Sequence, residues 1–296
     1  MDEYFTAIKS LPEPLQSELR QLAPDKACTV QEIRLRLHQP LQFTAEGRLL
    51  PATVFLPEAK LLRRITAEML QQCFLFLCGH SAYAYEKELS QGYFTADSGC
   101  RVGVAGLYAS EGFAAVRSLN LRIARWITCP LPPRIQQALQ RMDGGILVAG
   151  VPGSGKTTVL RSMIAELARW NRLFCVVDER GELVPQNLCG ASDKPFLNCD
   201  VYTRTNRAHG IEMALRCMNP QAIVCDELGT EADATALEAG LASGVIFLAS
   251  VHCDRPEHLY QKPQLTRLLK TGAFSLAAFL SGRDRPGLVT RMVNLT

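Results

Sequence analysis

The stretch Ile146-Leu147-Val148-Ala149-Gly150-Val151-Pro152-Gly153-Ser154-Gly155-Lys156-Thr157-Thr158 decides the fold. Its first four residues form an apolar run with the length and composition of a buried strand. The next eight match G-x-x-x-x-G-K-[ST] in full, and a helix-forming segment follows. In such a loop the glycines let successive backbone N–H groups turn inward around a phosphate, and the helix N-terminus adds a partial positive charge. Gly150, Val151, Pro152, Gly153, Ser154, Gly155, Lys156, Thr157 and Thr158 are therefore expected to hold a nucleoside triphosphate. Lys156 would neutralise the β and γ oxygens, and Thr157 would offer its hydroxyl to Mg²⁺.

Three further strand ends lie downstream. Ala222-Ile223-Val224-Cys225 runs into Asp226-Glu227, an apolar strand ending in two acids. Asp226 is placed to hold Mg²⁺ through water, and Glu227 to polarise an attacking water as general base. Along the chain between this pair and the phosphate loop, the strand at residues 173–177 ends in Asp178-Glu179-Arg180-Gly181-Glu182. That extra strand points to a RecA-like ATPase, with Glu179 as the alternative general base; a plain charged loop is the competing reading. Last, Ala249-Ser250-Val251-His252 ends the strand at 245–249, where His252 is expected beside the γ-phosphate. Short apolar strands alternating with helices at 157–170 and 230–242 describe an α/β domain with a mainly parallel sheet.

Transition-state charge in shared-site ATPases is met by arginine. Arg216, just before the Asp226 strand, is the candidate carried forward, with Arg204 and Arg207 upstream and Arg117, Arg122 and Arg125 in the first domain as alternatives. Arg34 and Arg36 share one strand face and read as a wet sheet surface rather than a binding patch.

Pro130-Leu131-Pro132-Pro133 is a stiff connector that a helix or central strand would not tolerate. It divides the 296 residues into a smaller α+β N-terminal domain, residues 1–131, and a RecA-like domain, residues 132–296. In the first, residues 2–10 and 13–22 read as helices, 33–38 as an alternating strand, 66–77 as an amphipathic helix capped by Thr66, and 81–89 as another helix. Strands follow around 93–95, 101–108 and 119–124.

The chain is 47% hydrophobic and 21% charged, which excludes collagen-like and disordered classes. A net charge of +3 gives no electrostatic case for a dedicated nucleic-acid binder. The 11 cysteines are odd in number and irregularly spaced, with no CxxC pair, and read as reduced thiols in a cytoplasmic protein. The acidic Met1-Asp2-Glu3-Tyr4 start has no apolar segment of signal-peptide type, and the longest uncharged apolar stretch, 239–252, is too short to cross a bilayer.

With these elements in order, the chain resembles the secretion ATPases of type II and type IV secretion and pilus assembly. Residues 150–158, Val176-Val177-Asp178-Glu179-Arg180-Gly181-Glu182-Leu183, Met218-Asn219-Pro220 through Glu227, and 249–252 look like their Walker A, Asp box, Walker B and His box. Within that superfamily, Glu32-Ile33-Arg34-Leu35-Arg36 and Ser118-Leu119-Asn120-Leu121-Arg122-Ile123-Ala124-Arg125 resemble the N-terminal segments of the stage III sporulation protein AA family of endospore-forming bacteria. The resemblance implies ATP and Mg²⁺ as ligands, a hexameric homo-oligomer, and integral membrane partners in a channel between mother cell and forespore. It also implies a location in the cytoplasm at the inner face of the mother-cell membrane. Two departures matter: many secretion ATPases have Gly-Glu where this chain has Asp226-Glu227, and the four-cysteine zinc module of many type II enzymes is missing. Cys253-Asp254-Arg255-Pro256 follows His252 in place of the extended His box.

Other functions fit parts of the pattern. A helicase or loader would share the RecA-like core but lacks a basic, aromatic strand here. A nucleotide-switched scaffold would keep the site and hydrolyse slowly. An ABC-type ATPase is disfavoured because the nearest signature-like string, Leu280-Ser281-Gly282, follows the Asp226 strand instead of preceding it.

Overall fold

The computed structural model describes residues 2–45, 47–109, 112–184, 197–261 and 263–295. The chain divides into a first compact unit, Met1–Arg125, and a second that begins at Trp126. Residues 126–131 therefore lie with the second unit, where Leu131 is buried and the Cys129 N–H donates to Ser162 Oγ at 2.8 Å.

The first unit is built on an antiparallel sheet of β1 (Val30–Arg36), β2 (Gln42–Ala45), β3 (Arg48–Pro51), β4 (Tyr93–Thr95), β5 (Arg101–Ala109) and β6 (Gly112–Arg122), in the order β3-β2-β1-β6-β5-β4. Alternation assigns its faces. Ile33, Leu35, Leu119 and Leu121 enter the core. Glu32, Arg34 and Arg36 sit on the other face, where Arg34 donates twice to Glu32 and Arg36 donates to Gln42. Helices α1 (Glu3–Ala7), α2 (Glu13–Leu19), α3 (Pro24–Ala27) and α4 (Ala67–Leu77) precede or interrupt the strands, and α4 packs on β6. Thr66 caps α4 by accepting the Met69 N–H at 3.2 Å. The segment expected as one helix over 81–89 is a 3₁₀ turn, Ala82–Tyr85, followed by α5 (Glu86–Leu89). Tyr85 buries its ring 4.9 Å from that of Phe94 while Tyr83 stays exposed, so ring packing overrides a continuous α pattern.

The second unit carries a sheet of β7 (Gly145–Gly150), β8 (Phe174–Asp178), β9 (Asp200–Thr203), β10 (Ala222–Cys225), β11 (Ile246–His252), β12 (Phe274–Leu280) and β13 (Val289–Asn294). Their order is β13-β12-β7-β11-β10-β8-β9, parallel except for the β12–β13 hairpin. Each inner strand feeds two cores. Ile146 and Val148 join Val159, Leu160, Met163 and Ile164 of α7 (Lys156–Arg169), with Ile135 and Leu139 of α6 (Pro133–Arg141). Leu147 and Ala149 instead join Ile211 of α8 (Arg207–Cys217), Leu237 of α9 (Glu231–Ala242) and Leu268 of α11 (Pro263–Lys270), the last preceded by the short α10 (Pro256–Leu259). Burial on both faces is why these strands read as unbroken apolar runs. Each fully buried aliphatic contributes roughly 1.5–3 kcal/mol.

Strands β9, β12 and β13 have no counterpart in the sequence-based expectation. The spatial arrangement also refines one of its arguments: β8 separates β7 from β10 along the chain, but β11 separates them in the sheet. No helix among the described residues is long and apolar enough to cross a membrane.

Candidate nucleotide-binding and catalytic site

The site lies along the carboxyl edge of the parallel strands, the usual ligand edge of an open α/β sheet. Register sets the neighbours there: Gly150 pairs with His252, Ala249 with Cys225, and Cys225 with Val177. The ends of β7, β11, β10 and β8 thus stand side by side.

The phosphate loop connects buried β7 to α7. A Cβ on Gly150 would lie 2.3 Å from Ser154 Oγ, and one on Gly155, whose φ is +89°, would lie 2.3 Å from the Gly287 nitrogen. Both glycines are therefore demanded by close approach. Ser154 is fully buried, and its hydroxyl has no hydrogen-bond partner. Lys156 Nζ donates to the carbonyls of Gly150 (3.1 Å) and Val151 (3.2 Å), folded back over its own loop. Burial lowers the Lys156 pKa, while the carboxylates of Glu227 and Asp226 pull it the other way. The turn joining β12 to β13 grips the outside of this loop. Gly287 N–H donates to Ser154 O (2.8 Å) and Arg283 Nε to Pro152 O (2.9 Å).

Across from the loop stands the β10 end. Asp226 Oδ1 accepts from the Ser250 hydroxyl (2.8 Å) and from the Glu227 N–H (2.9 Å), and that N–H also lies 3.1 Å from Ser250 Oγ. Glu227 has a φ of +29°, a sparsely populated region for a residue with a Cβ, and this small network keeps it there. Its carboxylate is held on both oxygens: Oε1 lies 2.9 Å from His252 Nε2, and Oε2 lies 3.4 Å from Arg180 Nη1.

The β8 end is built differently. Asp178 is fully buried and accepts the backbone N–H groups of Glu182 (2.8 Å), Leu183 (2.8 Å) and Val184 (2.9 Å). Burial pushes its carboxyl up to about 6 against those three bonds, with Asp226 adding to the rise. Glu179 points instead at Arg207 Nη2, 3.1 Å away. Arg207 is buried on α8, and its Nη1 donates to Asp233 Oδ2 (3.1 Å). Asp233 also accepts the Gly229 and Thr230 N–H groups and forms a capping box with Thr230 at the start of α9. A cavity of about 470 Å³ opens between these groups, lined by Glu179, Arg180, Arg207, Glu227, Thr230 and His252 among others.

Glu227, His252, Asp226 and Lys156 are thus brought to one place, with Glu179 across the cavity from Glu227. Arg216 lies elsewhere, in the last turn of α8, 78% exposed and 3.9 Å from Glu212. Arg125 is committed within the first unit, to Asp2 and to the carbonyls of Ala27 and Val30. Sequence reasoning missed Ser250, Arg180 and the Gly287 turn as parts of the site. The Pro286-Gly287 dipeptide is a turn signal, but nothing local says what the turn touches.

The residues present fit a triphosphate and its cation. A glycine cradle, an orphaned buried hydroxyl and a lysine suit phosphate oxygens, and the Thr157 hydroxyl with the Asp226 carboxylate is a hard-oxygen set of the kind Mg²⁺ takes. The cysteines of the parallel strands are not part of the site: burial pushes Cys175 up to about 11 and Cys225 to about 12, which leaves both as inert thiols. Cys189 lies outside the described residues.

Comparison with known proteins agrees with this architecture. The X-ray structure of the Legionella pneumophila ATPase DotB superposes with a TM-score of 0.61 at 22% identity, covering 91% of this chain and 77% of that one. The pilus retraction motor PilT, solved with bound ADP, gives 0.59 at 17% identity, over 90% of this chain and 77% of that one. At such identities the likeness concerns the fold, which is that of the RecA-like secretion ATPases. Stage III sporulation protein AA of Bacillus subtilis (strain 168) is 30% identical over 298 residues, 95% of this chain and 92% of that protein. The family described as "Sporulation stage III, protein AA" matches residues 10–295, and the chain belongs to that family.

Proposed function

We propose that this protein is an ATP-hydrolysing motor of the secretion-ATPase type. Its phosphate loop, Gly150 to Thr158, holds the triphosphate, with the backbone N–H groups and Lys156 on its oxygens. The Thr157 hydroxyl and Asp226 would hold Mg²⁺, which would supply charge neutralisation on the triphosphate. Glu227 takes a proton from a water that attacks the γ-phosphorus. The bond from that phosphorus to the bridging oxygen breaks, and ADP and phosphate leave. His252 keeps the Glu227 carboxylate turned toward the loop. Glu179, paired with the buried Arg207, serves to shape the cavity wall and is the reserve base. The observation that carries the reading is the pairing of an orphaned Ser154 hydroxyl in a glycine cradle with a two-carboxylate strand end beside it.

Arg216, exposed at the end of α8 and not among the residues lining the cavity, is assigned to a neighbouring subunit's site as the arginine that meets transition-state charge there. The wider reading, which family membership supports, is a hexameric ring working with integral membrane proteins on a mother cell–forespore channel, from the cytoplasmic side. ATP turnover measured against protein concentration, with sizing by light scattering and Lys156→Ala alongside, tests it. The motor reading expects turnover that rises as the ring forms and disappears in the variant. Turnover that survives Lys156→Ala sinks the assigned site, and tight binding without turnover at any assembly state favours a nucleotide-switched scaffold.

A further inference from the structure

Two arginines line the same cavity and differ in how they are held. Arg207 is buried between Glu179 and Asp233, fixed by two carboxylates at 3.1 Å each. A side chain so engaged cannot follow a substrate. Arg180 is 59% exposed, and its contact to Glu227 is a single long one of 3.4 Å. Its backbone, by contrast, is firmly placed. The turn that carries it is closed by the Gly181 N–H donating to Asp178 O, with Gly181 at a φ of +67°. It is pinned further by the three N–H groups that Asp178 accepts and by Arg161 Nε donating to Leu183 O at 3.1 Å. A well-bonded turn thus presents an exposed, weakly held guanidinium to the cavity. Glu227, its partner, stands beside the phosphate loop because β7, β11 and β10 are adjacent.

We propose that Arg180 reads the γ-phosphate: its guanidinium exchanges the Glu227 carboxylate, 3.4 Å away, for the γ-phosphate oxygens when ATP binds. The inference rests on the nucleotide-site reading above and assigns a residue that reading leaves without a task. A phosphate presents more charge and more acceptor oxygens than one carboxylate, so it wins the guanidinium. When Arg180 leaves, His252 still holds the other Glu227 oxygen. The carboxylate therefore stays oriented while its second oxygen becomes free to accept a proton. ADP carries no γ-phosphate and leaves Arg180 where it was, so the residue distinguishes the two nucleotides and releases the base only for the one that can be hydrolysed.

The test is equilibrium binding of Mg-ADP and of a Mg-bound non-hydrolysable ATP analogue to the full chain and to Arg180→Ala, Arg180→Lys and Glu227→Gln. Loss of one charge-assisted contact lowers the ratio of analogue affinity to ADP affinity about tenfold in Arg180→Ala, with ADP affinity within about twofold of the parent. Arg180→Lys recovers part of the ratio. Glu227→Gln, which frees Arg180, tightens the analogue more when Arg180 is present than in the Arg180→Ala background. An unchanged ratio, or parallel weakening of both nucleotides, overturns the inference, and equal Glu227→Gln effects in both backgrounds overturn the exchange of partners. Binding of neither nucleotide by the parent chain would overturn the nucleotide site itself, and the inference with it.

Discussion

Two neighbouring strands of the second unit end alike in sequence, β8 in Asp178-Glu179 and β10 in Asp226-Glu227, yet the two ends are built for different work. At the β8 end the first acid is sealed from water and takes three backbone N–H groups, so it organises a loop. At the β10 end the first acid is part-exposed and bonded to one hydroxyl and one N–H, which leaves acceptor capacity for a hydrated cation. The second acids differ as well. Glu179 is paired with a buried arginine that Asp233 also holds, whereas Glu227 stands on a strained backbone between an imidazole and an exposed guanidinium. Solvation and partners, not the acid pair itself, decide which carboxylate organises the fold and which is available for chemistry.

The comparison is broken most severely by removing the organising acid. Asp178→Ala takes the acceptor from three N–H groups, two of them buried and each of those worth about 1–3 kcal/mol when unpaired, so a loss of at least ~2 kcal/mol is expected in denaturant unfolding. A variant within ~1 kcal/mol of the parent would show that the loop does not depend on Asp178.

A gentler probe is pH. The folded Asp178 carboxyl titrates near 6 against an ordinary value of 3.8, so between those values the folded state binds the extra proton. Its contribution is fully present below the unfolded value and is lost as pH rises through 6. The shift corresponds to a few kcal/mol, on the order of 3. Measured from pH 4 to pH 7, the parent should lose that much more stability than Asp178→Asn, which has no proton to exchange there. Parallel curves for the two proteins would contradict the burial argument.

A smaller effect sharpens the other side. Ser250→Ala removes the hydroxyl that bridges Asp226 Oδ1 and the Glu227 N–H, while the Asp226–Glu227 bond remains. A stability loss of about 1 kcal/mol is expected. Turnover should fall by roughly an order of magnitude, because Glu227 loses one support of its positive φ. Unaltered turnover would make Ser250 a packing residue only.

Parts of this site are legible in sequence because their chemistry is local. The run from Ile146 to Thr158 needs a strand, a glycine cradle and a helix start in direct succession, and Asp226-Glu227 must follow a buried strand. Other parts depend on which strands become neighbours. Ser250 meets Asp226, and His252 meets Glu227, only because β11 inserts between β7 and β10. Arg180 reaches Glu227 only because β8 lies on the far side of β10. The grip of Gly287 on the phosphate loop likewise joins residues more than a hundred positions apart. Strand β9 escaped for another reason: it is a part-exposed edge strand, so it carries no apolar signature. In the first unit, alternation over Ile33 and Leu35 identified β1, whereas Ser81 to Leu89 carried helix-forming residues that tertiary packing of Tyr85 divides.

The most direct test of the division of labour between the two strand ends is single-turnover ATP hydrolysis by Glu227→Gln and Glu179→Gln, with ATP binding measured on the same samples. The account predicts that Glu227→Gln binds ATP and slows hydrolysis by ~100-fold or more, as loss of a general base does, while Glu179→Gln slows it by roughly tenfold at most. The reverse order, with Glu179→Gln the crippled variant, would contradict it.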